Sequence, residues 1–173
     1  VDENSLSSEK VTVFGNLPYN ISTEILSRWI VNLKTDFWFD HLVLMFQKEV
    51  AQRIAEGPGS RTYGILSVLL QTFYNIDYLF TVDEDAFDPP PRVKSGVIRL
   101  LRNDMSDPGC SFRHLKRVVK GAFNQRRKTL RNALSSTGFA EEMIPKEFLK
   151  KRAEQLSPTE FHILAIALIP TSS

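Results

Sequence analysis

The chain has 173 residues, 42% hydrophobic and 24% charged, enough for one ordinary domain with a small appendage around a real core. Its single cysteine, Cys110, excludes an internal disulfide and a thiolate metal cluster, and no apolar run approaches the ~20 residues that span a bilayer. The net charge of +2 conceals a split: residues 111–155 hold twelve Lys or Arg against four acids, a local +8 that leaves −6 elsewhere, the pattern of a lobe that meets a polyanion or of a solvated helical face.

Residues 1–10 are polar and Ser-rich and read as a loop or frayed end. Their opening, Val1-Asp2-Glu3-Asn4, lacks a signal-peptide pattern, so the expectation is a cytoplasmic protein with no membrane partner. Val11–Phe14, β-branched and aromatic, predicts a buried strand, with a loop over Gly15–Asn20 at its C-terminal end. Ser22 suits the N-cap of a helix over Thr23–Leu33, whose Ile25, Leu26, Trp29, Ile30 and Leu33 share one face. His41–Phe46 predicts a second strand. Lys48–Ala55 predicts a helix stopped at Gly57-Pro58-Gly59-Ser60, and Ile65–Phe73 another. Tyr78–Val82 and Gly96–Leu101 read as strands. Between them, Ala86-Phe87-Asp88-Pro89-Pro90-Pro91 excludes regular structure, because three prolines supply no backbone donors.

After Asn103 the character changes. Asp104–Ser111 reads as a linker, and beyond it only helices are expected. One covers Phe112–Phe123, one Arg126–Leu134, and a short one lies near Pro145–Lys151. The last takes Ser157 as N-cap, Pro158 at N1 and Glu160 at N3, and runs to Leu168. This order predicts an α/β segment over 1–103 followed by a small all-α segment over 104–173. In the basic lobe, Lys128 and Arg131 lie three apart and share a face. A continuous helix would bring Arg127 near the apolar stripe of Phe123, Leu130 and Leu134. A break near Asn124 is therefore expected, or an Arg127 whose stem lies along apolar surface.

Asn16-Leu17-Pro18-Tyr19, directly after a strand, carries the most chemistry, although its composition also suits a plain turn. A nucleobase amine is a poor nucleophile because its lone pair is delocalised into the ring. The Asn16 side-chain oxygen and the Pro18 backbone carbonyl are suited to accept its two hydrogens and orient it. Tyr19 is suited to stack on an extruded base. The amine becomes acidic once methylated and cationic, so no strong base is needed.

This motif resembles the Asn-Leu-Pro-Tyr loop of methyltransferases that act on base amino groups. Four further segments, in the same order, narrow the resemblance: Gln47-Lys48-Glu49-Val50, Tyr63-Gly64 with Leu66-Ser67-Val68, Phe87 with Pro89-Pro90, Val93 and Ser95, and Ala122–Asn132. Together they cover most of residues 11–135 and resemble the ribosomal RNA adenine N6,N6-dimethyltransferases of the KsgA type. The resemblance implies the later part of a Rossmann-like class I methyltransferase sheet followed by a small all-α domain. It implies S-adenosylmethionine as methyl donor, and two adjacent adenines of a hairpin near the 3′ end of small-subunit ribosomal RNA as substrate. The assembling small subunit is the implied partner.

By position, Asn16, Leu17, Pro18, Tyr19 and Phe87 inherit catalytic roles, with Phe87 lining the base pocket or else plugging the core. Asn16 inherits the donor contact. Lys116, Arg117, Lys120, Arg126, Arg127, Lys128 and Arg131 inherit RNA contacts, and no metal site is implied. The family's Gly-rich donor turn, which follows a strand, has no counterpart here: Gly57-Pro58-Gly59 follows a predicted helix. The strand Val11–Phe14 is central in the family, so its outer edge is expected to be open and able to pair with another copy, whereas the family enzyme is expected to be a monomer. Two other readings follow from the same features. One is a non-catalytic module that binds RNA or the small subunit. The other is a mitochondrial transcription factor of the same descent, disfavoured by the bacterial-style motifs.

Overall fold

The computed structural model describes residues 11–18, 20–31 and 39–170, with the side chains of Val11 and of 27–31 excluded. Two compact units result.

The first comprises residues 11–51 and 74–103 of the described chain and is built on a four-stranded sheet. Its strands are β1 (Val11–Asn16), β2 (Phe39–Gln47), β3 (Tyr74–Val82) and β4 (Ser95–Arg102), in the spatial order β1-β2-β4-β3. β1 and β2 run parallel, joined through helix α1 (Ser22–Val31), while β4 is antiparallel to both of its neighbours. Alternation in β2 sends Leu42, Leu44 and Phe46 to a buried face. Ile98 and Leu100 of β4, in register with Leu44 and Leu42, are buried beside them, and Val97 is buried on the other face. Gly96 sits where a Cβ would meet Ala51 and the Tyr78 ring at under 3 Å, so only glycine allows that approach.

The strands run longer than the sequence predicts. β1 continues through Gly15 and Asn16, because parallel pairing with β2 carries on to the Asn16–Met45 register. β3 begins at Tyr74, ahead of the predicted Tyr78, because Tyr74–Tyr78 pair with β4. Leu26 of α1 is buried as predicted; Trp29, Ile30 and Leu33 lie outside the side chains described.

The second unit comprises residues 52–73 and 104–170 of the described chain, so residues 52–73 pack with the helical lobe although they precede β3 in sequence. Its elements are the second half of α2 (Lys48–Ala55), α3 (Ile65–Gln71), α4 (Phe112–Asn124), α5 (Leu130–Ser135) and α6 (Pro158–Ala167), with single 3-10 turns at Glu141–Met143 and Ala153–Gln155. Tyr63, Val68, Leu115, Val119, Leu130, Leu134, Phe161 and Leu164 form one core. The predicted cap of α6 is present: Ser157 Oγ accepts from the Glu160 amide at 3.2 Å and Glu160 accepts from the Ser157 amide at 2.8 Å. The helix predicted near Pro145–Lys151 is instead a run of turns. The Phe148 amide donates to the Pro145 carbonyl and the Lys151 amide to the Phe148 carbonyl, successive turns rather than a helical ladder, while Lys151 O accepts from the Leu130 amide and Leu149 O from the Arg131 amide, satisfying the start of α5.

Candidate active site and basic surface

In the first unit, parallel pairing with β2 delivers Asn16 to the last position of β1, where the chain leaves the sheet. The loop then turns back, with the Ile21 amide donating to the Pro18 carbonyl at 3.1 Å. That leaves one acceptor position on the Pro18 oxygen. Asn16 is exposed, and its side chain has no hydrogen-bond partner among the described residues.

Across from this loop, the chain after β3 makes one 3-10 turn at Glu84–Ala86 and an extended stretch from Phe87, with a cis Asp88–Pro89 bond. Asn16, Leu17, Pro18, Phe87, Pro89 and Pro91 together line one open cleft of about 380 Å³. Motifs some seventy residues apart in sequence thus share one site. Asn16 brings a polar side chain to this lining, and Leu17, Phe87 and the prolines make the rest of it largely apolar. This arrangement suits a planar ring bearing an amino group. Tyr19 lies outside the described residues. Gln47, Lys48 and Glu49 line a separate hollow of about 280 Å³ with Val93 and Lys94.

Among the described residues no strand passes through a glycine-rich turn into a helix; Gly57 and Gly59 follow α2.

In the second unit, the predicted break between α4 and α5 is present over Gln125–Thr129, so Arg127 points to solvent instead of into the apolar stripe. The seven predicted RNA contacts fall into two groups. Arg126 donates to Glu154 at 2.8 Å and to the Ser60 carbonyl at 3.2 Å, Arg131 donates to Glu141 at 2.8 Å, and the Arg117 guanidinium lies 4.8 Å from the centre of the Phe139 ring. Lys116, Lys120, Arg127 and Lys128 have no ion pair or hydrogen bond from their side chains among the described residues. The turn residues Asn124–Lys128 line one hollow.

Two arginines outside the predicted set join this surface. Arg53 and Arg61 line a further cavity with Thr62, Gly64, Ile65, Leu66, Phe123 and Arg126. Charge counted along the chain separates them from the lobe at 111–155, although the fold does not.

The family model described as ribosomal RNA adenine dimethylase matches residues 2–168. A ribosomal RNA small subunit methyltransferase A from Cytophaga hutchinsonii is 52% identical over 153 residues, spanning 88% of this chain and 58% of that protein. One from Porphyromonas gingivalis is 51% identical over 159 residues, 90% of this chain and 60% of that protein. The chain therefore spans less than two thirds of the length of these relatives. Among solved structures, a dimethyladenosine transferase from Plasmodium falciparum superposes with a TM-score of 0.76 at 24% identity, covering 95% of this chain and 69% of that one. The 23S ribosomal RNA methyltransferase ErmE follows with a TM-score of 0.65 at 18% identity, covering 93% and 66%. These two likenesses bear on fold alone, and the fold is that of class I methyltransferases, as the motifs imply.

Proposed function

The chain belongs to the ribosomal RNA adenine dimethylase family, and from that membership we propose that it serves S-adenosylmethionine-dependent dimethylation of adenine amino groups in small-subunit ribosomal RNA. The observation that carries the reading is the cleft that unites Asn16, Leu17 and Pro18 with Phe87, Pro89 and Pro91. An adenine whose ring lies against Phe87 presents its amine to Asn16 Oδ1 and to the free acceptor position of the Pro18 carbonyl. Accepting both hydrogens pulls the amine away from conjugation and frees its lone pair. The donor, when bound, supplies an electrophilic methyl group. The methylated amine is acidic and loses its proton to water, so no histidine is required. The openness of the cleft leaves room for an amine that already carries one methyl, as a second transfer requires.

In this reading, residues 1–103 carry the base site and 104–173 meet the RNA. Lys116, Lys120, Arg127 and Lys128 supply positive charge unspent on internal pairs, suited to phosphates. The substrate is two adjacent adenines of the 3′-terminal hairpin, the partner is the assembling small subunit, and the compartment is the cytoplasm. Among the described residues, no helix is long and apolar enough to cross a membrane. The alternative is an RNA-binding module without chemistry, which rests on the same unpaired Lys116, Lys120, Arg127 and Lys128.

The test is incorporation of labelled methyl into unmethylated small-subunit RNA by the wild-type chain and by Asn16→Ala. Label in dimethyladenine, reduced roughly 100-fold by Asn16→Ala as for a missing orienting hydrogen bond, is the expected outcome. RNA binding without label from either protein, by a chain that calorimetry shows to bind S-adenosylmethionine, would reject the catalytic reading in favour of the binding module.

A further inference from the structure

The cavity lined by Arg53, Arg61 and Arg126 has a volume of about 420 Å³ and lies wholly within the second unit. Its charge is unusual for a site with no internal purpose. Arg53 and Arg61 are exposed, and their guanidinium groups have no acidic partner among the described residues. Arg126 spends two donors on Glu154 and the Ser60 carbonyl, which leaves the rest of its fork available. Three guanidinium groups around one hollow repel one another, and the Glu154 carboxylate offsets only one of them.

The frame holding these groups is tied down. The Gly59 amide donates to the Glu154 carbonyl at 2.7 Å, and the Tyr63 hydroxyl donates to the Leu156 carbonyl at 2.9 Å from a fully buried ring. The Gly64 amide donates to Ser67 Oγ at 3.0 Å, and Ser67 Oγ in turn donates to the Arg53 carbonyl. The loop carrying Arg61 and the helix end carrying Arg53 are therefore fixed to each other and to the Ala153–Gln155 turn. The cavity also has an apolar side, formed by Ile65, Leu66 and Phe123, and Phe123 is held by stacking on Phe161 at 5.8 Å.

We propose that this cavity binds one nucleotide unit of an RNA strand, its phosphodiester clamped by Arg53, Arg61 and the free edge of Arg126 and its ribose or base against Ile65, Leu66 and Phe123. Cationic groups beside an apolar wall match the two chemical ends of a nucleotide, whereas an acidic peptide would use only the charge. Arg126 lines both this cavity and the Asn124–Lys128 hollow. A strand passing over that turn therefore continues into the cavity. The inference rests on the RNA-binding reading above and extends it to a segment, 52–73, outside the basic lobe.

The experiment titrates a labelled single-stranded RNA oligonucleotide with the 173-residue wild-type chain, Arg53→Gln/Arg61→Gln, and Arg127→Gln/Lys128→Gln, across a range of salt concentrations. All three should share one melting temperature, since these side chains are exposed. Arg126 is left alone because it also holds Glu154. The expected result is that each double variant binds at least tenfold more weakly at moderate salt. The slope of log affinity on log salt should also fall by about 0.7 for each phosphate that the variant no longer neutralises. Wild-type affinity and slope from Arg53→Gln/Arg61→Gln, with weakening only in Arg127→Gln/Lys128→Gln, would overturn the cavity assignment and leave the RNA reading intact. Displacement of the RNA from the Arg53/Arg61-dependent site by poly-glutamate of equal charge would overturn it in favour of an acidic protein partner. No binding by any of the three would overturn both.

Discussion

Asn16 and Phe14 sit two positions apart on β1 and share a face of the strand. Asn16 reaches the cleft because pairing with β2 carries the strand two residues past the point where sequence alone ends it. The motif is readable as chemistry, since a nucleobase amine needs two acceptors. Its place in the last register of a strand is not, because Gly15 and Asn16 are poor strand formers and only the partner strand holds them there. Phe14 is 76% exposed, and the outer edge of β1 is unpaired among the described residues. An apolar edge of this kind recruits another strand, and a charge on it is the usual deterrent. Phe14→Lys is therefore expected to shift the chain from self-associated species toward monomer in sedimentation at high concentration. A wild-type chain that is already monomeric there would remove the self-association reading.

The helix ends show what sequence can and cannot specify about an element. Ser157, Pro158 and Glu160 announce the start of α6 because a capping box is a local contract among four residues. The break after α4 is also predictable, since Arg127 would otherwise enter an apolar stripe. The turns at 146–150 are not, because the Leu149 and Lys151 carbonyls are oriented toward the amides that start α5, partners about twenty residues away in sequence. Ser157→Ala should cost about 1 kcal/mol of stability at neutral pH, the usual worth of such a cap. Its partner Glu160 adds a pH signature. The Lys151 hydrogen bond, followed by the Ser157 amide, holds the Glu160 carboxyl below its usual range. That contribution is complete above the unfolded pKa and is lost as pH falls through the lowered folded one. The stability gap between Glu160→Gln and wild type should accordingly narrow under acid denaturation at about pH 3 relative to pH 7.

The division of the molecule into two compact units departs from chain order, and composition does not indicate it. Residues 52–73 read as part of the α/β run, yet the Tyr63 hydroxyl, Val68 and Thr72 belong to the helical core. Thr72 joins through α6: its hydroxyl donates to the Val68 carbonyl at 2.8 Å, so the His162 Nε2–H must donate to it, at 3.1 Å. His162 is 6% exposed, and burial pushes its pKa below the usual 6.5. The unfolded chain binds the proton more readily, so it holds more protons than the fold wherever pH lies between the two pKa values. Stability therefore rises with pH across that window, is fully present above about 6.5, and drains away as pH falls below it. The slope contributed by one such group is at most about 1.4 kcal/mol per pH unit. His162→Gln keeps a donor for Thr72 but cannot take up a proton. Chemical denaturation at pH 7.5 and pH 5.5 should show wild type losing more stability than the variant on acidification. Equal losses would mean that the bond joining segment 52–73 to α6 is indifferent to charge, and that acid sensitivity of the second unit arises elsewhere.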